Sequence, residues 1–312
     1  MAIIFFGTPE FAIPSLRALH DAGEDIAAAV TRRDAPKGRS RTPSPPPVKE
    51  LALGYGLKVL QPKSMKDPGF ADELEKMKPE FLAVVAYGRI LTSEILSIPK
   101  IAPVNVHASL LPRYRGASPI AWAIINGERE TGVTTMVMAP GLDAGDILLQ
   151  EKTAILPGDT KEGLSRRLSE MGAELLVKTL RGMREGRLKP VPQGGGATFA
   201  PPLKKEDGLI NWNRSAREIF NFVRGTYPWP GAFCFLGGER IKFLKVEPVV
   251  NEGKNPGAIE KADGELLVGT ASGLLRILKI QPEGKRPMSA RDFLQGRKIK
   301  KGDVFSGAVQ VS

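Results

Sequence analysis

The first 107 residues alternate short apolar runs with helical stripes, and this alternation limits the folds open to the chain more than any other feature. Ala2–Phe6 is an apolar run ended by Gly7-Thr8-Pro9 and reads as a buried strand. Phe11, Ile13, Leu16 and Leu19 make a helical stripe over 11–22, closed by Gly23. Ile26–Val30, Leu57–Leu60, Phe81–Ala86 and Ile101–His107 read as further strands, with helices expected over 48–53, 67–77 and 92–98, the last capped by Thr92. Strands that alternate with helices pair in parallel through right-handed crossovers, so the expectation is α/β, an open, mostly parallel sheet with flanking helices. Residues 131–138 and 146–153 are β-rich. A long helix follows, in which Leu164, Leu168, Met171, Leu175 and Leu180 form a stripe suited to a sheet, with Asp159 and Glu162 spaced as a capping box.

Periodicity stops between Gly186 and residue 206, where Pro190, Pro192, Gly194-Gly195-Gly196, Pro201 and Pro202 crowd together. The expected organisation is therefore one domain over 1–189, a linker over 190–206 and a second domain over 207–312. The second holds one helical stretch, 215–223, and short β-like runs at 232–236, 241–246, 266–268 and 274–280. Glycine turns between such runs suggest a small β-barrel. The chain carries a net charge of +11, and residues 204–312 hold 19 Lys and Arg against 12 Asp and Glu. A basic surface attracts polyanions, nucleic acid foremost, although solubility alone is a competing reading. A second basic feature is Arg32–Lys49, with six basic residues and five prolines, which reads as a solvated loop able to meet phosphates.

Several chemistries lack support. One cysteine, Cys234, excludes an internal disulfide and a cysteine-based zinc cluster, and two histidines exclude a histidine-rich metal site, so no metal is expected. No run approaches the roughly 20 apolar residues that span a bilayer, and no signal segment is visible; a cytoplasmic monomer without membrane contact is expected. The first strand–helix turn reads GTPEFA, so the dinucleotide and P-loop fingerprints are absent, as are H-E-x-x-H and G-x-S-x-G. What remains is IAPVNVHASLLPRYRG at 101–116. Asn105 and His107, two apart, share one face at the carboxyl end of a strand, where parallel sheets open into a ligand crevice. Gly141-Leu142-Asp143-Ala144-Gly145-Asp146 can turn a carboxylate inward, and spacing does not choose between Asp143 and Asp146. The duller readings are a structural histidine at a strand end and an aspartate in a β-turn. Together, an amide for an oxyanion, an imidazole and a carboxylate that favours the charged ring suit attack of an external amine on a carbonyl carbon, hence acyl or formyl transfer.

NVHASLLPRYRGASPI at 105–120, with Asp143 placed 36 residues after His107 in GLDAGDIL, resembles the folate-dependent formyltransferases. IIFFGTPEFA at 3–12, VVAYGRIL at 84–91, KKEDGLINW at 204–212, YPWPGAF at 227–233 and MSARDFLQG at 288–296 extend the resemblance over essentially the whole chain. It implies transfer of a formyl group from the co-substrate 10-formyltetrahydrofolate to the α-amino group of methionine on initiator tRNA, in support of translation initiation. It implies that Asn105 and His107 stabilise the oxyanion, and that Asp143 holds His107 charged and helps relay a proton. Ser109, Leu110, Leu111 and Pro112 would bind folate, and Arg89, Ile90 and Leu91 would border the pterin, largely through backbone groups. Arg39, flanked by Lys37 and Arg41, falls on the family's loop arginine at the acceptor end of the tRNA. Here G-R-S replaces the usual G-R-G, and extra prolines stand at 45–47. The C-terminal domain would be an OB-like barrel that holds the tRNA.

Other residues have plainer readings: His20 as a cation near a helix end, Cys234 as a packed strand residue, Trp229 as a domain-interface anchor, and Lys298, Lys300 and Lys301 as phosphate contacts or a solvated tail. Two competing functions stay open. One is a related formyltransferase or 10-formyltetrahydrofolate hydrolase acting on a small molecule, against which the basic C-terminal part argues. The other is a non-catalytic tRNA- or folate-binding protein, which has no need of the trio.

Overall fold

Ala2–Gly7 (β1) is buried along almost its whole length, because an apolar strand at the centre of a sheet must be covered on both faces. Asp25–Val30 (β2) pairs in parallel on one side of it; beyond come Ala35–Pro36 (β3), Pro43–Ser44 (β4) and Val59–Leu60 (β5). Phe81–Val85 (β6) pairs in parallel on the other side of β1, and Ala102–His107 (β7) is parallel to β6. Glu130–Val137 (β8) and Ile147–Ala154 (β9) complete a seven-stranded sheet of order β5-β2-β1-β6-β7-β8-β9. These belong to a computed structural model that describes residues 2–36, 42–250 and 255–307. Contacts divide the chain into two units: Met1–Pro119 with Glu130–Ala154 and Ser165–Ala200, and Ile120–Arg129 with Ile155–Leu164 and Pro201–Ser312.

The sheet is parallel from β5 to β7 and antiparallel from β7 to β9. The loop from residue 138 to 146 that joins β8 to β9 is too short for a crossover, so the last two strands form a hairpin. The order reverses where β1 meets β6, the switch point whose carboxyl ends form a crevice in open sheets.

The helices up to residue 184 are Ile13–Asp21 (α1), Pro47–Gly54 (α2), Pro68–Lys76 (α3), Ser93–Ser97 (α4), Pro119–Ile125 (α5) and Lys161–Arg184 (α6); α5 from residue 120 and α6 up to residue 164 belong to the second unit. Asp67 and Thr92 cap α3 and α4, accepting from Gly69 N and Ile95 N. The capping box expected at Asp159 does not form. Asp159 accepts from Leu156 N, and Thr160, one residue nearer the helix, accepts from Gly163 N. Leu164, Leu168, Leu175 and Leu180 are buried as the stripe requires. Gly172 lets α6 approach closely: a Cβ there would lie 2.8 Å from Val106 Cγ1 and 3.3 Å from Val133 Cγ1. Since α6 covers the Val106 face of β7, alternation places Asn105 and His107 on the opposite face.

The second unit holds Ala216–Thr226 (α7), Ala290–Gln295 (α8) and an antiparallel sheet. Its strands are Ala232–Leu236 (β10), Glu239–Val249 (β11), Ile259–Lys261 (β12), Leu266–Gly269 (β13), Leu274–Pro282 (β14) and Met288–Ser289 (β15). The order is β10-β11-β14-β13-β12, with β15 on β14. Both edges are tied to one segment. Phe235 of β10 pairs with Ser306, and Ala258 beside β12 pairs with Val304, so residues 302–306 close the sheet into a small barrel. Trp212, Phe243 and Phe305 pack at its centre, with ring centroids 5.3–5.9 Å apart. Ser215 and Glu218 form a capping box on α7, which turns Ile219 and Val223 into the same core. Cys234 is fully buried, and burial pushes its thiol well up from the ordinary value.

Phe305→Ala removes a ring that is 1 % exposed from this core and should destabilise the barrel by about 3–5 kcal/mol, read as a lower urea midpoint.

Candidate active site

β7 delivers Asn105 and His107 to the carboxyl end of the sheet. His107 is 6 % exposed, and both its ring nitrogens face acceptors. Nε2 lies 2.9 Å from the Tyr114 carbonyl oxygen, which only accepts, so Nε2 carries a proton. Nδ1 lies 3.6 Å from Asp143 Oδ2. The half-buried Asn105 amide bonds to no protein group among the described residues and is the free donor at this end of the strand.

Of the two aspartates, Asp143 is the one whose carboxylate faces His107. Asp143 Oδ2 also accepts from Gly116 N at 2.8 Å, while the Asp146 carbonyl accepts from Val137 N and continues the β8–β9 hairpin. The turn that presents Asp143 is tight. Gly141 has φ +111°, Asp143 itself φ +47°, and a Cβ on Gly145 would run into the Val137 carbonyl.

Ser109–Pro112 forms a braced turn next to His107. Ser109 is buried and donates to the Arg113 carbonyl at 2.6 Å, so its hydroxyl is spent on the turn. Thr134, opposite His107 on β8, donates to the Ser109 carbonyl at 2.7 Å and accepts from Leu111 N at 3.2 Å. Gln150 donates to Thr134 Oγ1 and to the Leu111 carbonyl, 2.9 Å each. Leu111 is buried, Leu110 and Pro112 half-buried, and the Leu111–Pro112 peptide is cis.

Arg89, Ile90 and Leu91 follow β6 at the switch point. Arg89 donates to the carbonyls of Pro62 and Lys63 at 3.0 and 3.1 Å, Leu91 is buried in the core, and Ile90 is 91 % exposed. Lys37, Arg39 and Arg41 lie outside the described residues. The chain on either side is fixed: β3 pairs with β4, and Lys49 Nζ reaches both Asp34 oxygens at 2.9 and 2.8 Å and Gln61 Oε1 at 3.0 Å. Those bonds from Lys49 and Gln61 hold the Asp34 carboxyl below the usual carboxylate range.

Sequence reasoning missed Gln193. It stands in a segment without periodicity, and only its polarity among prolines and glycines marked it. Its amide nitrogen donates to the carbonyls of Asp143 and Gly145 at 2.8 and 2.7 Å, and its oxygen accepts from Arg115 Nε and Nη2 at 3.1 and 2.6 Å. The segment read as a linker is bonded to the first unit through residue 200, by Val191 to Ile147 and by Phe199 and its neighbours to Arg115. Of the plainer candidates, His20 stacks on Tyr55 at 3.8 Å, Trp229 is 53 % exposed, and Lys298, Lys300 and Lys301 are exposed. Among the described residues no group of three His, Cys, Asp or Glu could hold a metal, and no helix is long and apolar enough to cross a membrane.

The family profile described as formyl transferase matches residues 1–180, and that of the formyl transferase C-terminal domain matches residues 202–298. A methionyl-tRNA formyltransferase of Thermodesulfovibrio yellowstonii is 57 % identical over 97 % of this chain and 99 % of its own. Another, of Pelotomaculum thermopropionicum, is 48 % identical over 99 % of each. In fold, the chain is similar to an N-formyltransferase from Helicobacter canadensis solved with folinic acid and dTDP-3-aminofucose, with TM-score 0.69, 19 % identity, and coverage of 88 % of this chain and 97 % of that one.

The buried Thr134 bridges supply the next test. Thr134→Val leaves the Ser109 carbonyl and the Leu111 amide unpaired and should cost about 1–3 kcal/mol of stability, checked by urea unfolding.

Proposed function

The chain belongs to the formyl transferase family, and on that footing we propose its reaction: it transfers a formyl group from 10-formyltetrahydrofolate to the α-amino group of methionyl initiator tRNA. The observation that carries the mechanism is the pairing of His107 with Asp143 across 3.6 Å, beside an Asn105 amide without a partner among the described residues.

The folate supplies the formyl carbon. The crevice suits it: the Ile90 side chain stands exposed at the end of β6, where a flat ring can lie, and Asn105 offers free polar donors. Arg89, Ile90 and Leu91 border the ring, and Leu110 and Pro112 present the half-buried edge of the Ser109–Pro112 turn. As the amine adds, the Asn105 N–H donates to the formyl oxygen where charge gathers. His107 joins it by exchanging the Tyr114 carbonyl for that oxygen. Asp143 orients the ring through Nδ1 and relays through water the proton that the amine sheds, which ends on the folate nitrogen as that nitrogen's bond to the formyl carbon breaks.

We assign formyl transfer to residues 1–189 with the bonded segment that follows, and tRNA holding to the basic barrel over 207–312. Arg39, with Lys37 and Arg41, meets the acceptor end; in the described chain on either side of them, Lys49 and Gln61 hold Asp34. The chain works as a cytoplasmic monomer.

A formyl-transfer assay with charged initiator tRNA, elongator methionyl-tRNA and uncharged tRNA tests the assignment: only the first should be formylated efficiently. His107→Ala should lower turnover at least about a hundredfold with the fold intact, and near-normal turnover would refute its role. Arg39→Ala should weaken tRNA use and leave folate binding unchanged, and tRNA affinity should fall by orders of magnitude between about 50 and 200 mM salt. A flat salt response would argue against phosphate contacts.

A further inference from the structure

Gln193 is the side chain whose bonds best explain why Asp143 is where it is. A glutamine amide has two N–H donors and an oxygen with two lone pairs, and all four are used. The donors go to carbonyls, which only accept, and the oxygen takes N–H groups of a guanidinium, which only donates, so the orientation of the amide is unambiguous. One amide thus spans residues 143 and 145 of the turn and anchors them to Arg115, next in sequence to the Gly116 N–H that binds the Asp143 carboxylate.

The backbone brings Gln193 to this point. Val191 and Ile147 exchange both backbone bonds at 2.8 Å, which sets Gln193 against the turn that precedes β9. Farther on, Arg115 N donates to the Thr198 carbonyl at 2.8 Å, Ala200 N donates to the Arg115 carbonyl at 2.7 Å, and Thr198 Oγ1 accepts from Tyr114 N at 2.8 Å. Residues 191–200 therefore tie together the loop that carries Asp143 and the loop whose Tyr114 carbonyl holds His107. The turn needs such a tie, because Asp143 stands at φ +47°, where an L-residue is disfavoured.

We propose that Gln193 is a positioning residue for formyl transfer: through the Asp143 and Gly145 carbonyls, with Arg115 as its anchor, it holds the Asp143 carboxylate on His107 and Gly116. Residues 1–189 are then catalytically complete only with the segment that follows α6. This inference rests on the roles proposed above for His107 and Asp143.

Gln193→Met keeps the length of the side chain and removes all four bonds. In the full-length protein, kcat should fall about ten- to hundredfold, the loss that a shift of about 1 Å in a reacting group produces, with KM for both substrates within about threefold. The Gly116 amide, protected by Asp143 Oδ2, should exchange with solvent at least about tenfold faster, while the Val104 amide in β7 keeps its protection. Arg115→Met, which removes only the anchor, should move both readouts in the same direction by less. Unchanged kcat, or a fall in kcat with Gly116 exchange unchanged, would overturn the inference, as would global unfolding of both variants. Asp143→Asn separates the two ideas. If it abolishes turnover while Gln193→Met is fully active, only the role of Gln193 fails; if it is itself fully active, the catalytic reading beneath fails.

Discussion

The contact on which this site depends is that of one carboxylate with two partners. Asp143 Oδ2 faces the Nδ1 of His107 and accepts the N–H of Gly116, and so joins the end of β7, the loop after it and the turn before β9. A carboxylate held by a backbone N–H keeps a fixed place beside the imidazole. Almost every other feature near the site serves that placement. Gly172 admits α6 against Val106 and leaves the opposite face of β7 free, the β8–β9 hairpin supplies the turn, and Thr134 and Gln150 brace the loop that follows His107.

The sequence and the structure agree where burial is the dominant force. β1 and β6 are continuous apolar runs because both faces are covered, and such runs are conspicuous. Asn105 and His107 were legible as a pair because strand periodicity is fixed by geometry alone. The cap chosen by residue type held at Thr92, which accepts from Ile95 N. At α6 both Asp159 and Thr160 were available, and the carboxylate turned back to Leu156 N.

What stayed hidden depended on distant partners. That Asp143 and not Asp146 faces His107 depends on Gly116 N and His107, neither near in sequence. Gln193 lies where propensity says only that the chain is irregular, and its meaning comes from Arg115, 78 residues away. The strand Ile259–Lys261 and the closing residues 302–306 were likewise unreadable, since each is too short to show a period and gains its pairing from the barrel. Ser109 illustrates the reverse: a hydroxyl in a recognisable motif proves to be satisfied by its own turn.

The closure of the barrel has a consequence for how the polypeptide emerges from the ribosome. Ser306 and Val304 stitch together strands translated tens of residues earlier, so β10 and β12 keep raw margins until residues 302–306 have been made. Nascent chains would therefore carry two unsealed sheet borders until that segment arrives, the kind of surface that recruits neighbouring strands on a crowded polysome.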